Sequence, residues 1–164
     1  MGQRGFMTES SLYALRRMGW REWLALPLLN VPAIKAKVDT GARTSALHTS
    51  FIEPFEEEGA GKVRFGMYPL QKNRDIEVHC EAFVVDERTV TDSGGHREER
   101  LVIETDVVFM GMRWPIEVTL TTREDMRFRM LLGRSALAQR FVVDVSDSFV
   151  GGRKSKKIYT KARI

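Results

Sequence analysis

The sequence predicts an all-β domain, a closed barrel of short strands with one brief helix near its C-terminal end. Apolar and polar residues alternate with period two in one short run after another, as strands with a single buried face require. Gly, Pro, Asn and Asp punctuate these runs at strand-length intervals. Within the run of strands the one helical stretch is Arg134 to Gln139, and many short strands with one brief helix indicate a barrel-like architecture.

In chain order, Ser10 to Met18 has the spacing of a short amphipathic helix through Leu12, Leu15 and Met18, with Thr8 or Ser10 as its cap. Trp20 to Leu28 reads as a strand. A turn around Leu29-Asn30-Val31-Pro32 then leads to a second strand, Ala33 to Val38, so the two form a hairpin. Thr44 to Phe51 is extended, and Glu56 to Gly61 supplies an exposed turn before a strand over Lys62 to Tyr68. From Asp75 to Val85 the pattern places Ile76, Val78, Cys80, Ala82 and Val84 on one face and Glu77, His79 and Glu81 on the other. Cys80 is thereby expected to be a small buried apolar residue. Asp86 to Arg100 is polar, charged and Gly-bearing, and predicts a long loop or hairpin tip of the kind that is often functional or mobile. Leu101–Phe109, Trp114–Thr122, Phe128–Leu132 and Phe141–Val145 complete the strands.

A chain of 164 residues fits one domain with a real core. The expected division is an N-terminal extension over 1–19, the domain over 20–149 and a basic tail over 150–164. Hydrophobic residues make up 43% and charged residues 29%, ordinary for a globular protein, and no apolar run approaches the roughly 20 residues that span a bilayer. The first 17 residues have no continuous apolar segment or small-residue cleavage site, so a secretory signal is not expected. The single cysteine excludes an intrachain disulfide and suits a reducing compartment, which makes the cytoplasm the default location. The net charge of +4 lies partly in Arg153-Lys-Ser-Lys-Lys157 with Lys161 and Arg163, read as a solvated tail. Nucleic-acid binding would call for aromatics interleaved with those cations, and the tail offers only Tyr159.

The catalytic candidate is Asp39. Ile34, Ala36 and Val38 alternate with Lys35 and Lys37, so the carboxylate sits where a strand ends. Thr40 then offers a hydroxyl to the backbone or to a neighbouring chain, and Gly41 permits a turn that a Cβ would obstruct. An Asp-Thr-Gly triplet arises by chance on the order of a few times in a hundred chains of this length. A second element therefore carries weight: Met130-Leu131-Leu132-Gly133-Arg134-Ser135-Ala136-Leu137, a short apolar strand ended by Gly and followed by a helical turn.

The pairing of Asp39-Thr-Gly-Ala42 with an apolar-apolar-Gly-Arg segment resembles the retropepsin-like aspartic proteases. More narrowly, Lys37 to His48 with Met130 to Leu137 resembles the bacterial branch named for ATP-dependent zinc proteases and associated with RimK-type glutamate ligases, over roughly Trp20 to Phe149. The resemblance implies Asp39 as the reacting carboxylate, supported by Thr40, Gly41, Ala42 and Gly133, and it gives the Asp86–Arg100 segment the place of a substrate-covering flap. Two carboxylates sharing one proton are what such hydrolysis needs. Asp92-Ser93-Gly94, inside the polar loop rather than after an apolar strand, is rejected as the second. The second Asp39 is then expected from another chain across a two-fold axis, as a homodimer.

Arg43 follows the catalytic turn, and Arg97, Arg100 and Arg134 extend a basic lining suited to carboxylates. Structural ion pairing with Asp or Glu is the competing role, as open as ligand binding for Arg134 and less so for Arg43. If the lining holds, the substrate is an acidic peptide, and the association with glutamate ligases implies a glutamylated protein. Metal chemistry finds no support in the residues: there is no His-Glu-x-x-His, and His48, His79, His96 and Cys80 lack zinc-ligand spacing. Gly151-Gly-Arg-Lys-Ser155 lacks the spacing of a phosphate-binding loop, so no cofactor is expected. A metal-dependent hydrolase and a non-catalytic peptide-binding module stay open as alternatives.

Overall fold

The computed structural model describes residues 15–122 and 127–161. In chain order these form β1 (Arg16–Gly19), β2 (Arg21–Leu26), β3 (Val31–Asp39), β4 (Ser45–His48), β5 (Phe51–Glu57), β6 (Ala60–Met67), β7 (Val78–Thr91), β8 (Arg97–Phe109), β9 (Met112–Thr121), β10 (Met130–Gly133), α1 (Arg134–Leu137), β11 (Phe141–Asp144) and α2 (Lys157–Lys161). The chain is all-β. Nine strands make one sheet in the order β2-β3-β10-β4-β9-β8-β7-β6-β5, and Ala25 of β2 also pairs with Val108 of β8. That contact closes β2, β3, β10, β4, β9 and β8 into a ring, from which β7, β6 and β5 extend as a wing.

The residues expected on the inward face fill the ring: Leu24, Leu26, Ile34, Ala36, Leu47, Val107, Val118, Leu120, Met130 and Leu132 are all buried. Burial of this apolar surface, at about 25 cal/mol per Å², holds the ring together. β2 ends at a 3-10 turn, Pro27–Leu29, which Asn30 closes in the left-handed conformation that Asn tolerates. Pro32 is accommodated at the start of β3, beside the irregularity between Leu24 and Leu26, where one ladder bond is dispensable.

Cys80 is buried, and burial pushes its thiol up to about 12. A thiolate is therefore scarce at neutral pH, and the thiol is expected to resist alkylation in the native protein and to react readily once denaturant is added. Equal labelling in both states, read by mass spectrometry, would contradict this burial.

Several sequence expectations are corrected. The helix read over 10–18 lies outside the described residues as far as 14, and from Arg16 the chain is a strand. β1 runs parallel to β11, Arg16 opposite Phe141 through Gly19 opposite Asp144, with Met18 fully buried. Arg17 bridges Asp144 and Asp147 beside this pair. Hydrogen bonds from the Ser146 hydroxyl and backbone N–H, with Arg17, hold the Asp144 carboxyl down to about 2. Its contribution to stability is present above the ordinary carboxylate range and lost as pH falls toward 2.

Of the two readings of segment 86–100, the hairpin holds and the long loop does not. Asp86 to Thr91 pairs with Arg97 to Val102, leaving a turn of only 92–96. Both faces of this hairpin are polar, with Arg88 on Asp86 and Glu117 and Thr89 on Glu99, so no apolar alternation marks it as strand. Arg153 to Lys157 are exposed, as a solvated tail requires, but the tail also holds α2, where Tyr159 is buried with its hydroxyl donating to the Ala33 carbonyl. A second short helix thus joins the one expected.

Candidate active site

The ring brings the two motifs together. β10 runs parallel to β3 with Leu132 opposite Val38 and Gly133 opposite Asp39, while β10 lies antiparallel to β4 on its other side. The chain leaves β3 at Asp39 and turns through Thr40, Gly41 and Ala42, so the carboxylate stands at the mouth of the strand pair, half-buried. Its Oδ1 accepts the Gly41 N–H at 3.2 Å, and its carbonyl accepts the Ala42 N–H at 3.2 Å. A Cβ on Gly41 would lie 3.3 Å from Oδ1, tight enough to disturb that bond.

Gly133 supports the turn from beneath. A Cβ there would come within 2.5 Å of the Thr44 carbonyl carbon, 2.8 Å of the Arg43 carbonyl oxygen and 2.8 Å of the Ser45 nitrogen, so only glycine allows the backbones to approach this closely. The Gly133 N–H donates to Ser45 Oγ at 3.0 Å. Beyond it, the Arg134 and Ser135 N–H groups donate to the Ala42 and Arg43 carbonyls at 2.9 and 3.1 Å. The first turn of α1 thereby satisfies its own unpaired donors on the Asp39 turn. Trp114 Nε1 donates to the Ala136 carbonyl at 3.0 Å and holds α1 in place.

The four arginines fall into different positions. Arg43 is exposed, and among the described residues its guanidinium makes no hydrogen bond or ion pair. Arg97 is exposed at the turn end of β8. Arg134, expected to line the cleft, donates from Nη1 to the Thr40 and Gly41 carbonyls at 3.4 and 3.2 Å and so braces the Asp39 turn. Arg100, also expected in the lining, is only 8% exposed and turns inward, its Nε on Glu98 at 2.9 Å and its Nη1 on Thr119 Oγ1 at 3.4 Å. Burial of its charge is balanced by those partners.

Arg100 also belongs to a relay that sequence reasoning missed. Thr119 Oγ1, which accepts from Arg100, donates to the Ser45 carbonyl at 3.2 Å, and Ser45 Oγ accepts from Gly133 opposite Asp39. The base of the β7–β8 hairpin is thus tied by hydrogen bonds to the Asp39 turn. Ser45, Thr119 and Thr121 sit at buried strand positions where the pattern calls for apolar side chains, and that mismatch was the available signal. At the hairpin itself, Val90, Asp92, His96, Glu98 and Arg100 line a pocket of about 330 Å³ that does not include Asp39. Asp92 caps the hairpin turn, its Oδ1 accepting the His96 N–H at 2.9 Å.

Among the described residues no three His, Cys, Asp or Glu side chains are grouped to hold a metal ion. Nor is any helix among them long and apolar enough to cross a membrane.

Residues 17–154 match the RimB-like family, described as "Retropepsin-like aspartic endopeptidase RimB". The chain is 47% identical over 137 residues to a protein of Shewanella pealeana named "Probable alpha-L-glutamate ligase", covering 84% of this chain and 30% of that one. A protein of the same name from Desulfotalea psychrophila is 41% identical over 152 residues, covering 90% and 33%. The chain therefore spans about a third of the length of these relatives. In fold it is similar to the crystal structure of Lpg0085, a Legionella pneumophila protein of unknown function, with a TM-score of 0.70, 23% identity and coverage of 83% of this chain and 98% of that one. Asp39 at the end of β3, Gly133 beside it and a family match across most of the ring agree: the chain belongs to the RimB-like family of retropepsin-like aspartic endopeptidases.

Proposed function

We propose that this protein hydrolyses peptide bonds in acidic, glutamate-rich segments, with water activated between Asp39 of one chain and Asp39 of a second. The observation that carries the reading is the Asp39 turn locked against Gly133 by the β3–β10 ladder and by α1. One carboxylate takes a proton from water, while the other, kept protonated because two adjacent negative charges are costly, polarises the scissile carbonyl. Thr40 is exposed, with its hydroxyl unbonded among the described residues, which leaves it available to a neighbouring chain in this reading. The relatives' name, glutamate ligase, points to glutamate additions as the material acted upon.

The test is hydrolysis of a glutamate-extended peptide, followed by mass spectrometry across a dilution series. Activity per chain should fall below the dimer dissociation constant and should be indifferent to a metal chelator. A monomer with undiminished specific activity would require another acid beside Asp39, and chelator-sensitive cleavage would favour a metal-dependent hydrolase.

Arg43 supports the choice of substrate. A guanidinium pairing a carboxylate contributes about 1.5 to 3 kcal/mol. Arg43→Ala is therefore expected to lower kcat/KM for glutamate-rich peptides roughly ten- to a hundred-fold while sparing neutral ones. An equal loss on both peptide classes would make Arg43 structural.

A further inference from the structure

Away from the catalytic turn, three cations converge on one ring. The charged groups of Arg21, Lys35 and Arg153 stand 4.8, 5.6 and 4.3 Å from the centroid of Phe149. Arg21 also lies 4.5 Å from the Trp20 ring and Lys35 5.4 Å from that of Trp23. Among the described residues none of the three has a carboxylate partner. Lys35 Nζ donates to Gln71 Oε1 at 3.1 Å, and Arg21 Nε is buried without a hydrogen bond. Burial, then the charges of Arg21 and Arg153, push the Lys35 ammonium below its ordinary range, which reflects the missing counter-charge.

The fold holds these like charges together by construction. Glu22 is fully buried, and its carboxylate accepts the N–H groups of Gly19, Val150 and Gly151 at 2.8, 3.0 and 3.0 Å, pinning the segment after β11 across β2. The Phe149 N–H donates to the Arg21 carbonyl at 3.0 Å, and Phe149 itself takes a left-handed φ of 56°. A turn follows, with Gly152 at φ 95° donating to the Phe149 carbonyl at 3.0 Å, and it brings Arg153 back over the ring. Left-handed backbone at a non-glycine residue persists only where its surroundings enforce it.

The cluster borders the line that leads to Asp39. Lys35, Lys37 and Asp39 alternate along β3 and share one face, and on β2 Trp23 and Arg21 stand opposite Lys35 and Lys37. Lys35 to Asp39 spans about 13 Å of strand, the reach of about four extended residues of a peptide.

We propose that Arg21, Lys35 and Arg153 form an exosite that grips the carboxylates of an acidic polypeptide segment while the bond to be cut lies at Asp39, an assignment that rests on Asp39 being the point of cleavage. Carboxylates suit forked guanidiniums. Nucleic acid suits the cluster less, because Phe149, Trp20 and Trp23 each already carry a cation and base stacking needs a free ring face.

Binding is measured by fluorescence anisotropy at low salt, with the full chain carrying Asp39→Asn and two probes, a labelled oligo-glutamate peptide and a labelled single-stranded RNA of equal length. The combined Arg21→Gln, Lys35→Gln and Arg153→Gln variant should bind the peptide about tenfold or more weakly. Arg153→Glu alone, at an exposed position, should also weaken it and carries the test if the triple variant fails to fold. Unchanged peptide affinity in folded variants overturns the exosite. So does RNA that binds more tightly than the peptide and loses affinity with the same substitutions. Cleavage is read separately on chains retaining Asp39: the exosite predicts a raised KM with kcat kept for glutamate-rich peptides, and an unchanged KM overturns it while leaving the peptidase reading intact. Peptide bound but never cut by the unsubstituted chain overturns the peptidase reading, and with it the exosite's role in presenting a bond to Asp39.

Discussion

Asp39→Asn is expected to reduce peptide hydrolysis by on the order of 10³- to 10⁴-fold while leaving the fold in place. The two halves of this expectation have separate causes. Activity is lost because an amide neither accepts a proton from water nor shares one with its twin. Stability is kept because Asp39 is half-exposed and, among the described residues, only its Oδ1 is bonded, to the Gly41 N–H, and asparagine retains an oxygen in that place. Its melting transition should match that of the unsubstituted chain, with a change in stability of no more than about 0.5 kcal/mol. Dimers mixed from one substituted and one unsubstituted chain should be as inactive as the doubly substituted dimer. Full hydrolysis by the Asp39→Asn chain would remove Asp39 from the chemistry altogether.

Gly133→Ala should produce the largest loss of stability. The added methyl meets Thr44, Arg43 and Ser45 through backbone atoms at 2.5 to 2.8 Å, and backbone cannot rotate out of the way as a side chain does. Either β4 separates from β10 or the Gly133–Ser45 bond breaks, at a cost of about 3 kcal/mol, the upper end for overpacking. Hydrolysis should decline with it, because the same displacement moves the turn that carries Asp39. Gly61→Ala is the control: nothing stands within 4 Å of its Cβ position, and urea denaturation should show almost no change. Equal midpoints for the two alanine variants would mean that the close approach at Gly133 is not what holds the turn.

Alternation was legible wherever one face of a strand is buried. Val63, Phe65 and Met67 of β6 and Ile34 and Ala36 of β3 announce their strands because water on one side and core on the other sort the residues. The β7–β8 hairpin has solvent on both faces near its turn, so nothing sorts Asp86 to Arg100, and strand there looks like loop. The turn of Asp39, Thr40 and Gly41 was legible because its parts are contiguous, the Gly41 N–H reaching back to Asp39 Oδ1. The relay from Arg100 through Thr119 and Ser45 joins three strands, and no local spacing encodes it. Arg134 and Arg43 look alike in sequence. Their difference comes from α1, which directs the Arg134 guanidinium onto the Thr40 and Gly41 carbonyls.

The parallel pairing of β1 with β11 sets a timetable for the chain as it leaves the ribosome. Met18 and its neighbours have no strand to lie against until Phe141 to Asp144 has emerged, and Glu22 has no donors from Val150 and Gly151 until later still. β6 and β7 can pair soon after synthesis, but β2 meets its second neighbour, β8, only when Val108 arrives. Contacts this distant in sequence are slow to form, because the entropy of closing the loop must be lost before they contribute. The ring therefore closes late. Throughout that interval the Glu22 side chain stays in water, and it becomes the fully buried clasp of the folded protein once the Val150 and Gly151 N–H groups arrive to meet it.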